Sequence, residues 1–214
     1  MTAKRNVILI LAPHTDDAEF GMGATIARFI DEGHDVYCAA FSACRQSVHP
    51  SFPDDILITE VRAAAAVLGI QEDHLFLYDY PVRTFNFRRQ ELLDDIIRLR
   101  ENIRPDYVFM PSVNDIHQDH YTLAQEGVRA FKFSSLLCYE LPWNNFSFQT
   151  SCFYEVDAAQ LQRKIDAVAC YRSQQHRPYA SADFIRSLAV TRGVQTGAPL
   201  AECFEVVRLV NRLF

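Results

Sequence analysis

Two short clusters hold the side chains best able to bind a metal ion and move protons. One is Pro13-His14-Thr15-Asp16-Asp17, and the other is Asp115-Ile116-His117-Gln118-Asp119-His120. Histidine and carboxylate are the ligand types of catalytic zinc sites, which take three protein ligands and keep a fourth position for water. His14 and Asp17 are three residues apart on a turn that enters a helix, so both can point at one ion, and His120 can supply the third ligand. Asp16 and His117 are then left beside the ion but off it. Hydrolysis needs such a spare carboxylate and imidazole: one takes a water's proton, the other stabilises developing charge or protonates the leaving group. Each cluster alone has a plainer reading. An Asp pair after a strand is commonly a helix cap, and a His-bearing turn is commonly a solvated loop. The chemistry becomes compelling only if the fold brings the clusters together.

The surrounding elements predict that it does. Residues 7–11 (VILIL) form a continuous apolar run, as in a strand buried on both faces. Helix spacing follows over residues 21–32, with Gly33 suited to the C-terminal cap. Strands are then expected at 36–41, 75–78, 107–110 and 136–141, and helices at 56–68, 88–104 and 121–133. Such alternation specifies parallel strands joined by right-handed crossovers. The last third is less regular, with helices expected at 158–171 and 181–190 and a late strand at 201–210. The expected fold is a single α/β domain over residues 1–214, a Rossmann-like, open, mostly parallel sheet with helices on both faces and a C-terminal elaboration. Both clusters follow strands, the first and the fourth. In the common Rossmann order these strands are neighbours at the point where strand order reverses, which is where ligands bind.

At these residues the chain resembles the PIG-L/LmbE-type zinc-dependent N-deacetylases, whose motifs are P/A-H-x-D-D after the first strand and H-x-D-H after the fourth. Glu60-Val61-Arg62, Tyr171-Arg172-Ser173-Gln174, Arg192-Gly193 and Ala201-Glu202-Cys203-Phe204-Glu205 extend the resemblance, in order, over nearly the whole chain. The resemblance implies that His14, Asp17 and His120 bind zinc and that Asp16 is the general base. It further implies that His117 stabilises the oxyanion, with Asp119 orienting His117. Other divalent ions are expected to substitute, because a His₂-carboxylate set is not selective by ligand type alone. The implied reaction removes an acetyl group from a small-molecule N-acetylated amino sugar or related glycoconjugate. The chain departs from many sugar-directed members after the second strand, where it reads Ser42-Ala43-Cys44-Arg45-Gln46-Ser47, so the sugar itself is left open. Thr15 stands where a proline is common.

Candidate substrate contacts are Arg45, Arg83 and Arg192, through the planar fork that arginine presents, and the Trp143-Asn144-Asn145-Phe146 segment as a surface for a sugar ring. His49, in a long loop, is placed to border the site. Two rival readings remain. Gly21-Met22-Gly23 opens a helix after the first strand, a setting that suits a nucleotide phosphate. The full G-x-G-x-x-G pattern is absent, however, because Ile26 stands at the third glycine. The other rival is a catalytically inactive binding relative, against which all five site residues are present.

Composition narrows the field. With 214 residues, 49% hydrophobic and 22% charged, the chain is neither disordered, collagen-like nor a disulfide scaffold. A net charge of −6 argues against a protein that grips nucleic acid phosphates. The six cysteines include no C-x-x-C pair and read as small buried hydrophobes in a reducing compartment. The apolar run after Lys4 and Arg5 is about six residues, short of a secretory h-region of roughly 7–15. No stretch approaches the roughly 20 apolar residues of a membrane span. A cytoplasmic protein is therefore expected, and a homo-oligomer is compatible with the sequence.

Overall fold

The computed structural model describes residues 5–211; Lys4, the first of the two basic residues noted above, lies outside them. Among the described residues, seven strands form one sheet in the order β3-β2-β1-β4-β5-β7-β6. The first five are β1 (Val7–His14), β2 (Asp35–Ser42), β3 (Leu75–Leu77), β4 (Tyr107–Pro111) and β5 (Ser135–Tyr139), and all are parallel. The C-terminal elaboration adds β6 (Cys152–Glu155) and β7 (Ala201–Arg208), with β7 antiparallel to both β5 and β6. From β1 the chain runs to β2 and β3 on one side, then returns to lay β4 on the other. The sheet therefore reverses between β1 and β4, as expected of a Rossmann-like fold.

Among the described residues, six α-helices cover the sheet: α1 (Asp17–Asp31), α2 (Ile56–Leu68), α3 (Arg89–Ile103), α4 (Gln118–Ala130), α5 (Ala158–Ala169) and α6 (Ala182–Val194). The period-2 alternation of β1 feeds two cores. Ile8, Ile10 and Ala12 pack with Ile26, Val61, Leu161 and Ile185, from α1, α2, α5 and α6. Leu9 and Leu11 pack on the other face with Leu92, Ile96 and Leu123, from α3 and α4. Burial on both faces is why this strand is apolar at every position up to Ala12.

α1 starts four residues earlier than its hydrophobic spacing indicates, and it is kinked at Met22 (φ −150°, ψ 25°). At the kink Glu202 of β7 accepts from the freed backbone N–H groups of Ala24 (3.3 Å) and Thr25 (2.6 Å), and Lys164 pairs with the same carboxylate. The flanking glycines permit close packing. A Cβ on Gly21 would lie 2.3 Å from the Tyr139 ring, and one on Gly23 would lie 2.9 Å from Lys164 Cγ. Both are buried, so neither presents the open backbone that a nucleotide phosphate would need. Among the described residues, no helix is long and apolar enough to cross a membrane.

Candidate active site

β1 ends at His14, level with Ser42 at the end of β2. β4 ends at Pro111, and six residues on His117 takes the N-cap position of α4. The two clusters therefore meet at the carboxyl edge, at the reversal point. Asp16 occupies the N-cap position of α1, but its side chain makes no capping hydrogen bond. The Asp17 carboxylate turns back instead and accepts from the His14 backbone N–H at 2.9 Å. The helix-cap reading thus does not account for the acidic pair.

Three atoms form a nearly equilateral triangle. His14 Nδ1 lies 3.2 Å from Asp17 Oδ2, His120 Nε2 lies 3.3 Å from the same oxygen, and the two nitrogens are 3.1 Å apart. Ligands about 2.0–2.1 Å from a tetrahedral ion would be separated by roughly 3.3–3.4 Å, close to these edges. Two buried carboxylates set the tautomers. Asp119 Oδ2 takes the proton of His14 Nε2 (3.2 Å), and Asp115 Oδ2 takes that of His120 Nδ1 (3.0 Å). With those protons on the outer nitrogens, His14 Nδ1 and His120 Nε2 turn toward each other and toward the Asp17 carboxylate, and a positive charge is called for among the three. Without an ion a proton answers that call: against the effect of burial, Cys44, Asp17 and Asp119 hold the His14 imidazole well above its ordinary pKa, and a metal would take that proton's place. The donor set therefore fits a divalent ion, and carboxylate-backed histidines are the usual support of such sites.

A second set shares two of these residues. One ring nitrogen each from His14, His117 and His120 lies within 4.8 Å of the others. That spacing is looser, and His117 is differently held. Its Nδ1 accepts from the Asp119 backbone N–H (3.2 Å), so Nε2 carries the proton and is a donor rather than a lone pair. Burial, reinforced by His120 and His14, pushes the His117 pKa down to about 4, leaving a neutral ring at pH 7. Burial opposes ionisation of Asp17, but the imidazoles of His120 and His14 outweigh it and hold the carboxyl at about 2. For Asp16, burial and the Asp17 charge raise the pKa to about 6. A carboxylate tuned toward neutrality suits a general base.

Several expected roles change. Asp119 was expected to orient His117, but its carboxylate sits on His14 and accepts from the backbone N–H groups of Arg83 (2.5 Å) and Phe85 (3.3 Å). Only its backbone amide reaches His117. Arg45 is tied to Asp79 at the surface, and Arg192 forks onto Glu140 behind α1, so neither reaches the cavity over the site. Arg83 does line that cavity, as do Trp143 and Asn144, whereas Phe146 is 82% exposed and His49 bonds to Ser51 in its own loop. The cavity measures about 370 Å³, the size of a small-molecule site.

Asp115, Gln174, Arg177 and Tyr179 were not anticipated. Asp115 stood inside the second cluster without a role, and Arg177 lies three residues beyond the Tyr171-to-Gln174 segment. Within that segment Tyr171 and Ser173 are structural. Tyr171 Oη donates to the Thr15 carbonyl (2.6 Å), and Glu60 accepts from the Ser173 hydroxyl (2.6 Å), locking the turn after β1 and the start of α2 to this wall.

The Asp119 and Asp115 side chains are fully buried. Replacing Asp119 with asparagine is expected to lower metal affinity about 10–100-fold, the usual effect of losing a carboxylate behind a ligand histidine. Metal retained against a graded chelator checks this, and unchanged retention would separate Asp119 from the metal site.

The profile of the PIG-L family, described as GlcNAc-PI de-N-acetylase, matches residues 9–131, more than half of the chain. The chain belongs to the PIG-L family. Its relatives are deacetylases. One from Escherichia coli K12, named uncharacterized deacetylase YaiS, is 29% identical over 176 residues, covering 79% of this chain and 92% of its own. The N,N'-diacetylchitobiose deacetylase of Pyrococcus horikoshii superposes with a TM-score of 0.79 at 20% identity, over 94% of this chain and 83% of its own. Likeness in fold also extends to GalB, a 4-carboxy-2-hydroxymuconate hydratase from Pseudomonas putida, with a TM-score of 0.77 at 16% identity, over 97% of this chain and 99% of that one. A PIG-L fold alone therefore does not fix the reaction.

Proposed function

We propose that this PIG-L member is a zinc-dependent N-deacetylase that releases acetate and a free amine from an N-acetylated amino sugar or glycoconjugate. The whole chain acts as one domain. The observation that carries this reading is the triangle of atoms at His14, Asp17 and His120, set by Asp119 and Asp115, with a carboxylate and a neutral imidazole beside it. A divalent ion held there supplies Lewis acidity, which polarises a carbonyl and acidifies a water. The remaining work falls to the protein. Asp16 accepts a proton as the water oxygen attacks the acetyl carbon. His117 Nε2–H donates to the acetyl oxygen as negative charge gathers on it, a neutral donor placed for the transition state. When the C–N bond breaks, the proton held by Asp16 passes to the nitrogen, and acetate and amine leave. The cysteine usage supports a cytoplasmic setting; Cys38, Cys138 and Cys203 are buried free thiols.

The test is metal content with amine release. The purified protein is expected to carry about one zinc per chain, to lose thermal stability on chelation and to regain it with zinc. It is also expected to release free amine from at least one member of a panel of N-acetylated sugars. A protein that holds no divalent metal, and whose melting is indifferent to zinc, would overturn the proposal.

A further inference from the structure

We infer that the substrate carries an anionic group, a carboxylate or a phosphoryl, and that Arg83 and Arg177 hold it at the mouth of the cavity. The inference deepens the deacetylase reading and rests on it. Most arginines of this chain are committed to carboxylates: Arg28 to Glu32, Arg62 to Glu72, Arg89 and Arg129 to Glu126, Arg192 to Glu140. Among the described residues, the two arginines that line the site cavity form no ion pair with a carboxylate, and Arg177 acts on Asp16 only through its field, favouring the ionised carboxylate. Arg172, Arg186 and Arg208 also form no ion pair among the described residues, but they lie outside the cavity that holds the site.

Both guanidiniums are instead aimed by neutral groups. Arg177 donates from Nε to Gln174 Oε1 and from Nη1 to Tyr179 Oη, each at 2.6 Å. Arg83 donates from Nη2 to Ser47 Oγ at 3.1 Å. These bonds fix direction without cancelling charge. They leave Nη2 of Arg177, and Nε and Nη1 of Arg83, without a protein acceptor among the described residues. Free donors on a planar, permanently charged fork match a carboxylate or phosphoryl oxygen pair.

The two arginines reach one cavity from different loops, and Arg83 is pinned by the site itself. Its backbone is left-handed (φ +67°), an uncommon state for a residue with a Cβ. Its N–H donates to Asp119 and its carbonyl accepts from Gln118 (2.5 Å), so the turn that supports His14 also sets where this guanidinium begins. Beside Arg177 the Trp143 and Tyr179 rings stack at 3.8 Å, and Phe20 meets both edge-on. A ring-shaped body against that wall would carry its acidic substituent to the arginines. Asp16 and Asp17 share the cavity, and an anion entering there needs such countercharge.

Binding is measured calorimetrically with three probes: uncharged N-acetylglucosamine, its phosphate monoesters, and N-acetylmuramic acid as the carboxylate arm. An anionic probe is expected to bind at least about tenfold tighter than the uncharged one, with the preference weakening as salt rises. Arg83→Gln and Arg177→Gln should each lose most of that preference, and Arg83→Lys and Arg177→Lys should keep part of it. Melting temperatures identify any variant that fails to fold, and the lysine variants then carry the comparison through a weakened but measurable preference. Equal binding of all probes, or a preference unmoved in the glutamine variants, overturns the inference. Amine release is read separately. Release without anion preference would leave the deacetylase reading standing and remove this one. Anion preference lost in the variants, with no release from any probe, would do the reverse.

Discussion

His117→Ala is expected to keep its metal and lose turnover by about 10²–10⁴-fold, the range for removing a proton-transfer or oxyanion group. The basis is the direction of one hydrogen bond. Because Nδ1 of His117 accepts from the Asp119 amide, the ring can offer only an N–H toward the reacting atoms. Its pKa near 4 keeps it from holding a second proton at neutral pH. A ligand role would require the opposite tautomer and the loss of that bond. The ring is nevertheless close enough to His14 and His120 for a three-histidine set to compete on distance alone. Metal stoichiometry and kcat, measured on the same preparation, separate the two. If the variant emerges metal-free, and added zinc restores its rate, His117 is a ligand and the oxyanion role is lost.

The adjacent acids should part company just as sharply. Asp17→Ala removes the oxygen that faces both His14 and His120 and also frees the His14 amide, so metal content should fall and excess zinc should restore part of the rate. Asp16→Ala should bind metal normally and stay slow by about 10²–10⁴-fold at every zinc concentration, as for a lost general base. The separation follows from the turn after β1. The Asp17 carboxylate folds back over His14, whereas that of Asp16 makes no capping bond and lines the cavity. Rates and bound zinc across a zinc titration decide it. Zinc rescue of Asp16→Ala but not of Asp17→Ala would exchange the two roles, and full activity in both variants would sink the enzyme reading.

Much of this arrangement is legible in the chain. α2 spans the expected residues 56–68 because the Ala-rich run ends where Gly69 must adopt φ +92° to close it. The expected neighbours β1 and β4 are neighbours, so the two clusters converge. Other features were hidden. β6 has only four residues, CFYE, too few for its alternation to stand out, and it is defined by pairing with β7. The early start of α1 was obscured because Asp17 and Glu19 interrupt the apolar spacing while being buried in the folded chain.

The sequence by itself determined the strand and helix alternation, the reversal point and the residue types gathered there. These depend on local periodicity, turn chemistry and chain connectivity, which neighbouring residues encode. Only the tertiary structure decided which polar group answers which. Asp119 faces His14 across 105 positions rather than His117, Asp115 supports His120, Glu140 takes Arg192, and Arg177 enters the cavity that Arg45 does not. A charged side chain can satisfy itself with any complementary group that packing brings within about 3 Å. Which group that is depends on how separate loops converge, and no spacing along the chain records it.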